Sequence, residues 1–493
     1  MWDGEPSRPE MLIGFIIVLL LPSVCGASVC VFPRTQAYDV LERLSTEGMV
    51  SRYLLSGGPP TREEVQSAVS SLRNQEGLSE EMEWLKQDIV REFGKAHEVI
   101  EEGFSRNTYL AFRLEGLWTG RNRLKNVDVY EAFDFSEGPN FAMGLSGGMD
   151  IRDLVSVYRD RISVYGEGYG IQDRDGFRGS LRELCLEIEI LGMRLGVGRE
   201  RVWHGPGYHG DFVLTDNAPG FMLVRIERCV GPFWGRFLLG KVDNGNTGQV
   251  FLNSLSANWF YADRLEIGAS LGAVFQGDED LIKRLYWPNP PGDVNQVLEV
   301  WGVFYPMDGV KLYGITAGDD WGKERFAQRL FPWAWKSGYL VGAYLSDPLG
   351  NGRTDFRVEW TRLFEEMWDN WYTHDNAYYH KGWIIGHHMG RDWERRSIGQ
   401  RDLFVKATHL LSREMLLTVE VDTESARTER AQAATVDRTT DVRLGLRRGT
   451  GGRWDLSGQI RYFRLRSRIR MSDAPWEERD DWLFRAGLEY QMH

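Results

Sequence analysis

The sequence is short of cysteine, of basic charge and of long apolar runs, and each shortage excludes a class of protein. Four cysteines in 493 residues are too few for a disulfide scaffold. A net charge of −12 argues against nucleic acid as a partner, because a phosphate-binding surface needs a basic excess. The sequence has no run of about 20 apolar residues, which a membrane-spanning helix needs. If the chain enters a membrane, it must do so as a closed β-barrel, in which every backbone polar group is hydrogen-bonded.

Aromatic residues and glycine are abundant, and a short apolar run lies near the N-terminus. Aromatics make up 13% of the chain, which contains 55 glycines, yet the mean hydropathy is −0.39. The run LIGFIIVLLL (12–21) is too short to span a membrane and is followed by Pro22 and small residues. It predicts a secretory signal peptide over residues 1–27, although the preceding residues are acidic, and Met1 and Met11 both remain candidate starts.

Residues 28–105 have the spacing of short amphipathic helices. Leu41 and Leu44 follow Ala37 at helical intervals, and Thr61 and Glu64 have the spacing of a capping box. Short helices of this kind must pack on one another or on a neighbour. We therefore expect a small helical bundle.

From residue 106 to 493 the apolar period changes from 3.6 to 2. In RTDFRVEWTRLF, Phe356, Val358 and Trp360 alternate with Arg357 and Glu359. A β-sandwich would repeat its turn signals at shorter intervals. Apolar, aromatic-rich faces opposite charged faces are typical of a transmembrane barrel, and this length predicts about 16–18 antiparallel strands. The final WLFRAGLEYQMH resembles the C-terminal targeting signal of outer-membrane barrels. The charges on the inward faces are of both signs, which favours a filled lumen over a conducting one.

Metal and catalytic signatures are weak. HExxH and paired CxxC motifs are absent, and on a strand the adjacent His387 and His388 would point to opposite faces. No GxSxG motif occurs. Acidic pairs such as Asp319–Asp320 and Asp392/Glu394 more often lie in solvated loops or pair with arginine than serve as catalytic acid and base. We expect no metal, no cofactor and no catalytic residue.

Aromatic and polar side chains are interleaved in the stretch around 368–383. Sugars favour flat aromatic platforms flanked by hydrogen-bonding groups. An aromatic girdle at the membrane interface would produce the same enrichment without binding anything. The candidate sugar-binding residues are Trp368, Trp371, Tyr372, Asp375, Tyr378, Tyr379 and Trp383.

Three motifs resemble one family, the Wzi capsule-assembly proteins. They are RVWHGPGYHGDFVLTDNAPGF (201–221), DFRVEWTRLF (355–364) and YTHDNAYYHKGWIIGHHMGRDW (372–393). The resemblance implies an outer-membrane barrel over 106–493, a periplasmic helical bundle over 28–105, and a lectin-like role in a Gram-negative-type bacterium. The partners it implies are capsular or exopolysaccharide, outer-membrane lipid and the barrel-assembly machinery.

A second set of residues within these motifs is expected to form a polar network that packs the lumen or a loop. These residues are Trp203, His204, Glu359, His387, His388, Arg391 and Asp392. Two other functions remain open. One is a porin or solute transporter, and the other is an outer-membrane enzyme acting on glycan or lipid, for which His388 or Asp320 would be essential.

Overall fold

The computed structural model describes most of the chain from residue 108 onwards and a short N-terminal part. The described residues are 36–55, 65, 68, 108–119, 138–150, 161–173, 176–190, 193–243, 249–276, 294–319, 337–364, 378–381, 383–389, 396–412, 415–430, 433–449, 454–469 and 477–492. The predicted signal peptide 1–27 and most of the predicted helical bundle 28–105 lie outside them, so both remain predictions.

The described N-terminal part consists of one helix and one short turn. Helix α1 spans Gln36–Thr46, and a 3-10 turn follows at Arg52–Leu55. Leu41 and Leu44, which the helical spacing placed on the apolar face, are fully buried. None of the helical residues that the structure describes belongs to an apolar helix of membrane-spanning length.

Eighteen long strands form a single antiparallel sheet that closes on itself. Their bounds are β1 Thr108–Thr119, β2 Gly138–Asp150, β3 Arg161–Asp173, β4 Gly176–Ile190, β5 Met193–Glu200, β6 Phe221–Val230, β7 Phe233–Val242, β8 Val250–Tyr261, β9 Leu265–Gln276, β10 Val294–Met307, β11 Val310–Asp319, β12 Ser337–Ser346, β13 Thr354–Leu363, β16 Arg396–Ser412, β17 Met415–Arg430, β18 Ala433–Gly449, β19 Trp454–Ile469 and β20 Glu477–Met492. A separate two-residue pair, β14 Tyr379–His380 and β15 Trp383–Ile384, lies between β13 and β16. Each long strand pairs with the long strand before it and the one after it, and β1 pairs with β20. The expectation of a large antiparallel barrel with 16–18 strands is confirmed.

The side chains of the barrel are arranged with the apolar residues outside. Along β6, Met222 and Val224 are 56% and 49% exposed, whereas Arg225 and Glu227 are each 4% exposed. This is the reverse of a soluble protein and suits a wall with lipid outside and a polar lumen. β13 shows the same alternation, with Arg357 and Glu359 buried and Trp360 exposed, as the sequence predicted.

The two ends of the barrel differ. Because neighbouring strands are antiparallel, the turns that follow β6, β8, β10 and β12 share one end, and α1 contacts it. The Gly309 amide donates to the Thr46 carbonyl at 3.0 Å, and Arg52 Nη1 donates to the Asp263 carbonyl at 2.8 Å. The connections that follow β5 and β13 lie at the opposite end, and these two connections carry the motifs identified in the sequence.

A buried apolar core lies inside the barrel. It joins Phe212, Leu214 and Ile385, from the connections after β5 and β13, to inward-facing residues of the wall such as Leu252 and Val297. The structure describes two of the four cysteines, and neither of these forms a disulfide: Cys185 is buried and Cys229 is exposed.

Candidate functional site

The connection between β5 and β6, residues 201–220, folds into the lumen and is called the inward loop. Its sequence has glycines and prolines and no strand alternation, and most of its residues are buried. The His204 amide donates to the Leu214 carbonyl at 3.0 Å, which closes the loop. Gly205 has a φ of 78°, and a Cβ there would lie 2.2 Å from Asp211 Oδ2. The glycine in the Trp-His-Gly-Pro-Gly stretch therefore serves the tight packing of the loop.

Two glutamates of the barrel wall hold the inward loop by its backbone. Glu359 Oε1 and Oε2 accept hydrogen bonds from the amides of Tyr208 and His209, each at 2.6 Å. Glu299 Oε2 accepts from the amides of Phe212 and Val213 at 3.2 and 3.0 Å. Each carboxylate thus provides acceptors for buried donors that have no strand or helix to pair with.

Asp211 reinforces the attachment at Glu299. Its Oδ1 accepts from the Phe212 amide at 2.8 Å. Burial, and then the neighbouring Glu299 carboxylate, raise the pKa of Asp211 well above its usual value. The side chains of Asp211 and Glu299 are also hydrogen-bonded to each other, so the two carboxyl groups together hold this part of the loop.

Residues 378–389, called the second inward segment, pack on the inward loop. Thr215 donates through its amide to the Ile385 carbonyl at 2.9 Å and through its hydroxyl to the Gly386 carbonyl at 2.8 Å. Asn217 Nδ2 donates to the Ile384 carbonyl at 2.9 Å. The two connections from this end of the barrel therefore form one hydrogen-bonded unit.

Helix α1 is joined to the wall by buried ion pairs. Glu42 accepts from Lys311 Nζ at 2.7 Å and also from Arg357. Burial favours the neutral acid, yet Arg357 and Lys311 together lower the pKa of Glu42 below its usual value. Arg43 lies 3.4 Å from Asp355. The carboxylate that Arg357 of β13 contacts therefore belongs to α1.

Tyr208 links the inward loop to α1. Its hydroxyl donates to Asp39 Oδ1 at 2.9 Å and accepts from Lys406 Nζ. The Arg357 guanidinium lies 3.9 Å from the centre of its ring, and Phe404 stacks at 5.9 Å. One side chain therefore contacts α1 and two strands of the wall.

The wall also carries ion pairs of its own. Arg225 contacts Glu200 at 2.8 Å, Glu227 at 3.0 Å and also Glu187. On the far side of the ring Asp441 pairs with two arginines, Arg443 at 2.9 Å and Arg461 at 2.5 Å. Charges of both signs therefore face the lumen and pair there.

The residues predicted to form a polar network lie inside the barrel where the structure describes them. Trp203 is buried, and its carbonyl accepts from Arg236 Nη1 at 3.2 Å. His204 Nδ1 lies 2.9 Å from Ser270 Oγ, and burial lowers the pKa of His204 well below its usual value, so this imidazole is neutral.

His387 and His388 do not lie on a strand, so the alternation of side chains that a strand would impose does not apply to them. They follow β15 in an irregular turn, and their rings stack with centroids 4.3 Å apart. His388 also meets the His209 ring edge-on at 4.4 Å. His209 was missed in the sequence, although it lies within the same motif as His204. Its place in that motif was the one feature that could have drawn attention to it. The residues around His209 do not show that it lies beside His388 in the folded protein.

The predicted sugar-binding residues fall into two groups. Tyr378 has no exposed surface, and its hydroxyl donates to the Val213 carbonyl at 3.0 Å, so its ring packs within the protein and offers no face to a sugar. Tyr379 is partly buried against the core. Trp383 lies in β15, but its side chain is outside the described part. The remaining residues lie outside the described ranges altogether: Trp368, Trp371, Tyr372 and Asp375. Arg391 and Asp392 of the predicted network, and Asp320 and Glu394 of the acid pairs, also lie outside.

Comparisons with known proteins agree with this architecture. The family model of the capsule assembly protein Wzi matches residues 300–471. The solved structure of Wzi from Escherichia coli, described as an outer-membrane, carbohydrate-binding β-barrel involved in group 1 capsule assembly, aligns over 93% of this chain and 98% of its own. Its TM-score is 0.65 at 16% sequence identity.

More distant similarity is found to other outer-membrane proteins. OccK3 of Pseudomonas aeruginosa aligns over 78% of this chain and 96% of its own, with 13% identity and a TM-score of 0.45. OmpT of Vibrio cholerae aligns over 78% and 97%, with 11% identity and a TM-score of 0.36. The sequence matches no curated protein. The resemblance to the Wzi capsule-assembly family is confirmed, by the family model over residues 300–471 and by a shared barrel fold over nearly the whole chain.

Proposed function

We propose that the chain is an outer-membrane lectin-like protein that binds capsular or exopolysaccharide and anchors it at the cell surface. The match to the capsule-assembly family and the fold shared with a carbohydrate-binding relative support this function. A protein of this kind holds its polymer without making or cutting it.

The observation that carries the proposal is the filling of the lumen from both ends. Helix α1 is tied to the wall through Glu42, and the inward loop is tied to it through Glu299 and Glu359. A conducting pore needs a continuous hydrated path, whereas these inward charges already have protein partners at hydrogen-bond distance. The filled lumen therefore favours a binding surface over a porin.

The topology gives the proposed orientation. The segment between β13 and β16, which contains the aromatic stretch around 368–383, joins the wall at the end opposite α1. With the end of the barrel that α1 fills and the rest of 28–105 on the periplasmic side, this segment would face outward, where a surface polymer is found. The apolar outer face would contact outer-membrane lipid, and the C-terminal strand would direct insertion by the barrel-assembly machinery.

Binding would be multivalent. Each barrel would contribute a few stacking and hydrogen-bonding contacts, and a repeating polymer would engage many barrels at once. Linked weak sites of this kind can exceed the single-site affinity by about 10²–10⁴-fold. Dense copies in the membrane would therefore hold a polymer that one copy binds only weakly.

We also propose that the protein is not an enzyme. A general acid must reach its substrate. Two pairs of adjoining carboxyl groups occur in the described part, Asp402 with Asp422 and Asp211 with Glu299. Asp211 and Glu299 are both completely buried and are occupied by backbone amides of the inward loop. Their arrangement suits attachment of the loop.

The test measures polysaccharide binding and conductance on the same refolded preparation. Labelled capsular polysaccharide from the host and an unrelated dextran would be titrated onto the protein in lipid discs, and the same protein would be recorded in a planar bilayer. Host polymer binding with little conductance is expected. Open-channel conductance without binding would refute the proposal and establish a porin, and shortening of the polymer during incubation would establish an enzyme.

A matched pair of variants then locates the surface. Trp368→Ala with Trp371→Ala is expected to weaken host polymer binding at least about 10-fold, which is about 1.4 kcal/mol. Trp360→Ala removes a tryptophan from the outer face of β13 and should leave binding unchanged. Equal losses in both variants would mean that the effect is on folding, and no loss in either would place the sugar surface elsewhere.

A further inference from the structure

A compact group of nitrogen and oxygen donors lies where the inward loop, the second inward segment and the wall meet. His209 comes from the loop, His388 from the segment and Asp402 from β16, and one donor atom from each lies within 4.8 Å of the other two. Asp422 of β17 adjoins them, its Oδ2 lying 3.1 Å from His209 Nε2. We propose that His209, His388 and Asp402 bind a divalent transition-metal ion, best matched by Zn²⁺, with Asp422 available as a fourth donor.

The separations from Asp402 fit ligands of one ion better than they fit hydrogen bonds, whereas His209 Nε2 and Asp422 Oδ2 lie at hydrogen-bond distance, 3.1 Å. His209 Nε2 and His388 Nε2 lie 3.7 and 3.6 Å from Asp402 Oδ2. Both distances exceed the upper limit of about 3.2 Å for an N–H···O hydrogen bond. Two donors about 2.0–2.1 Å from a tetrahedral Zn²⁺ lie about 3.4 Å apart. The two distances to Asp402 Oδ2 are therefore within a few tenths of an ångström of this value, and all three donors lie within 4.8 Å of one another.

The donor types select the class of ion. Two imidazoles with one or two carboxylates suit zinc and its first-row neighbours, whereas calcium and magnesium take oxygen ligands. The charge also fits. Asp402 is 2% exposed, and among the described residues nothing donates a hydrogen bond to its Oδ1. Lys406, an inward-facing cation on the same strand, is occupied by Asp39 at 2.7 Å and by Glu420 at 3.5 Å. A bound divalent cation would balance the two aspartates.

The surroundings hold the donors in place. The His209 ring stacks on Phe404 with centroids 4.1 Å apart and 9° between the planes, and Glu359 fixes its backbone amide. His387 stacks on the other histidine, His388. Rings held in this way keep their nitrogens oriented with little loss of side-chain entropy on binding. His388 keeps 21% of its side chain exposed, so an ion could reach this donor from solvent.

The inferred site joins three parts of the barrel that are distant in sequence, so an ion there would cross-link the filling of the lumen to its wall. An ion that binds a histidine nitrogen replaces any proton there, and that proton would pass to solvent. This inference is independent of polysaccharide binding and would stand if the sugar test failed.

The test uses the full chain, refolded without a histidine tag and freed of metal by a chelator. Co²⁺ would be titrated as a coloured substitute and Zn²⁺ by calorimetry, on the wild type and on His388→Gln and Asp402→Asn. The control is His409→Gln, which changes a histidine further along β16 that contacts Thr354 Oγ1 at 3.0 Å. Folding of each variant would be checked by the different gel mobility of heated and unheated barrel.

One equivalent of ion is expected for the wild type and the control, with the visible absorption of tetrahedral Co²⁺. Each site variant should bind at least about 10-fold more weakly. Zn²⁺ should raise the unfolding temperature of the wild type and the control but of neither site variant. The inference would be overturned by a wild type with no saturable one-equivalent binding, or by a folded His388→Gln protein with unchanged affinity.

Discussion

Replacing Glu42 by glutamine would remove one buried negative charge from the contact between α1 and the barrel wall. Glu42 is completely buried and lies between Lys311 and Arg357. Glutamine has the same shape, so packing is preserved while two cations lose their counter-ion. The experiment therefore measures the electrostatic attachment of α1 almost in isolation.

The expected loss of unfolding free energy follows from the surroundings of the two cations. Removing one partner of a buried ion pair costs about 3–5 kcal/mol. Here the loss is partly offset, because Arg357 keeps the Tyr313 hydroxyl at 3.3 Å and lies over the ring of Tyr208. We therefore expect a loss of about 2–4 kcal/mol at neutral pH.

The pH dependence has a definite sign. The pKa of Glu42 is lowered in the folded protein, so its contribution is fully present above the pKa of an unfolded glutamate, about 4.3. It is lost as the pH falls through the lowered folded value, where the native carboxylate must take up a proton. The difference between wild type and Glu42→Gln should be constant from pH 6 to 8 and should shrink below about pH 4.

Urea unfolding in lipid vesicles, followed at several pH values, provides the measurement, with the midpoint and slope of each transition giving the free energy. The matched control is Glu47→Gln, because Glu47 follows the end of α1, is only half-buried and accepts from the Ser346 hydroxyl. The control should lose less than about 1 kcal/mol. Equal stability of the two variants from pH 4 to 8 would refute the idea that this ion pair holds α1.

Two further substitutions test the packing of the inward loop and the ion pairs of the wall. Gly210→Ala would place a Cβ 2.3 Å from His387 Cδ2 and should lower the free energy of unfolding in urea by about 1–3 kcal/mol. The control is Gly458→Ala, which has no atom within 4 Å of the added carbon and should change stability by less than about 0.5 kcal/mol. Arg225→Leu would remove one cation from the three buried carboxylates that contact it and should lower the free energy of unfolding by at least about 3 kcal/mol. The control, Arg228→Leu, changes an exposed arginine of the same strand and should lower it by less than about 1 kcal/mol. Unchanged urea midpoints for Gly210→Ala or Arg225→Leu would contradict the packing and the pairing, respectively.

The barrel itself could be predicted from the sequence because its signal is local. Each strand repeats apolar and polar residues with period two, since lipid lies on one side and the lumen on the other. That alternation placed the change from helix to strand near residue 106, and β1 begins at Thr108. It also gave the inward positions of Arg357 and Glu359, because a period of two needs no knowledge of which strand is the neighbour. The strand number followed from the length of the alternating region.

The filling of the lumen could not be predicted in the same way, because its contacts join residues far apart in sequence. The inward loop has no periodicity, and its position depends on Glu299 and Glu359, which lie 86 to 151 residues further along the chain. Arg357 finds its partner Glu42 across 315 residues. The motif marked the loop as important, but only the closed ring of strands brings His209 beside His388.

The elements that fill the two ends of the lumen meet at Tyr208, and this has a mechanical consequence. Its hydroxyl contacts Asp39 of α1, while its backbone amide and that of His209 are held by the two oxygens of Glu359. A displacement of α1 must therefore either break a buried hydrogen bond at Tyr208 or move the loop that carries His209. Since close-packed interiors transmit strain over such distances, the helix at one end and the histidine cluster behind the inward loop should respond together.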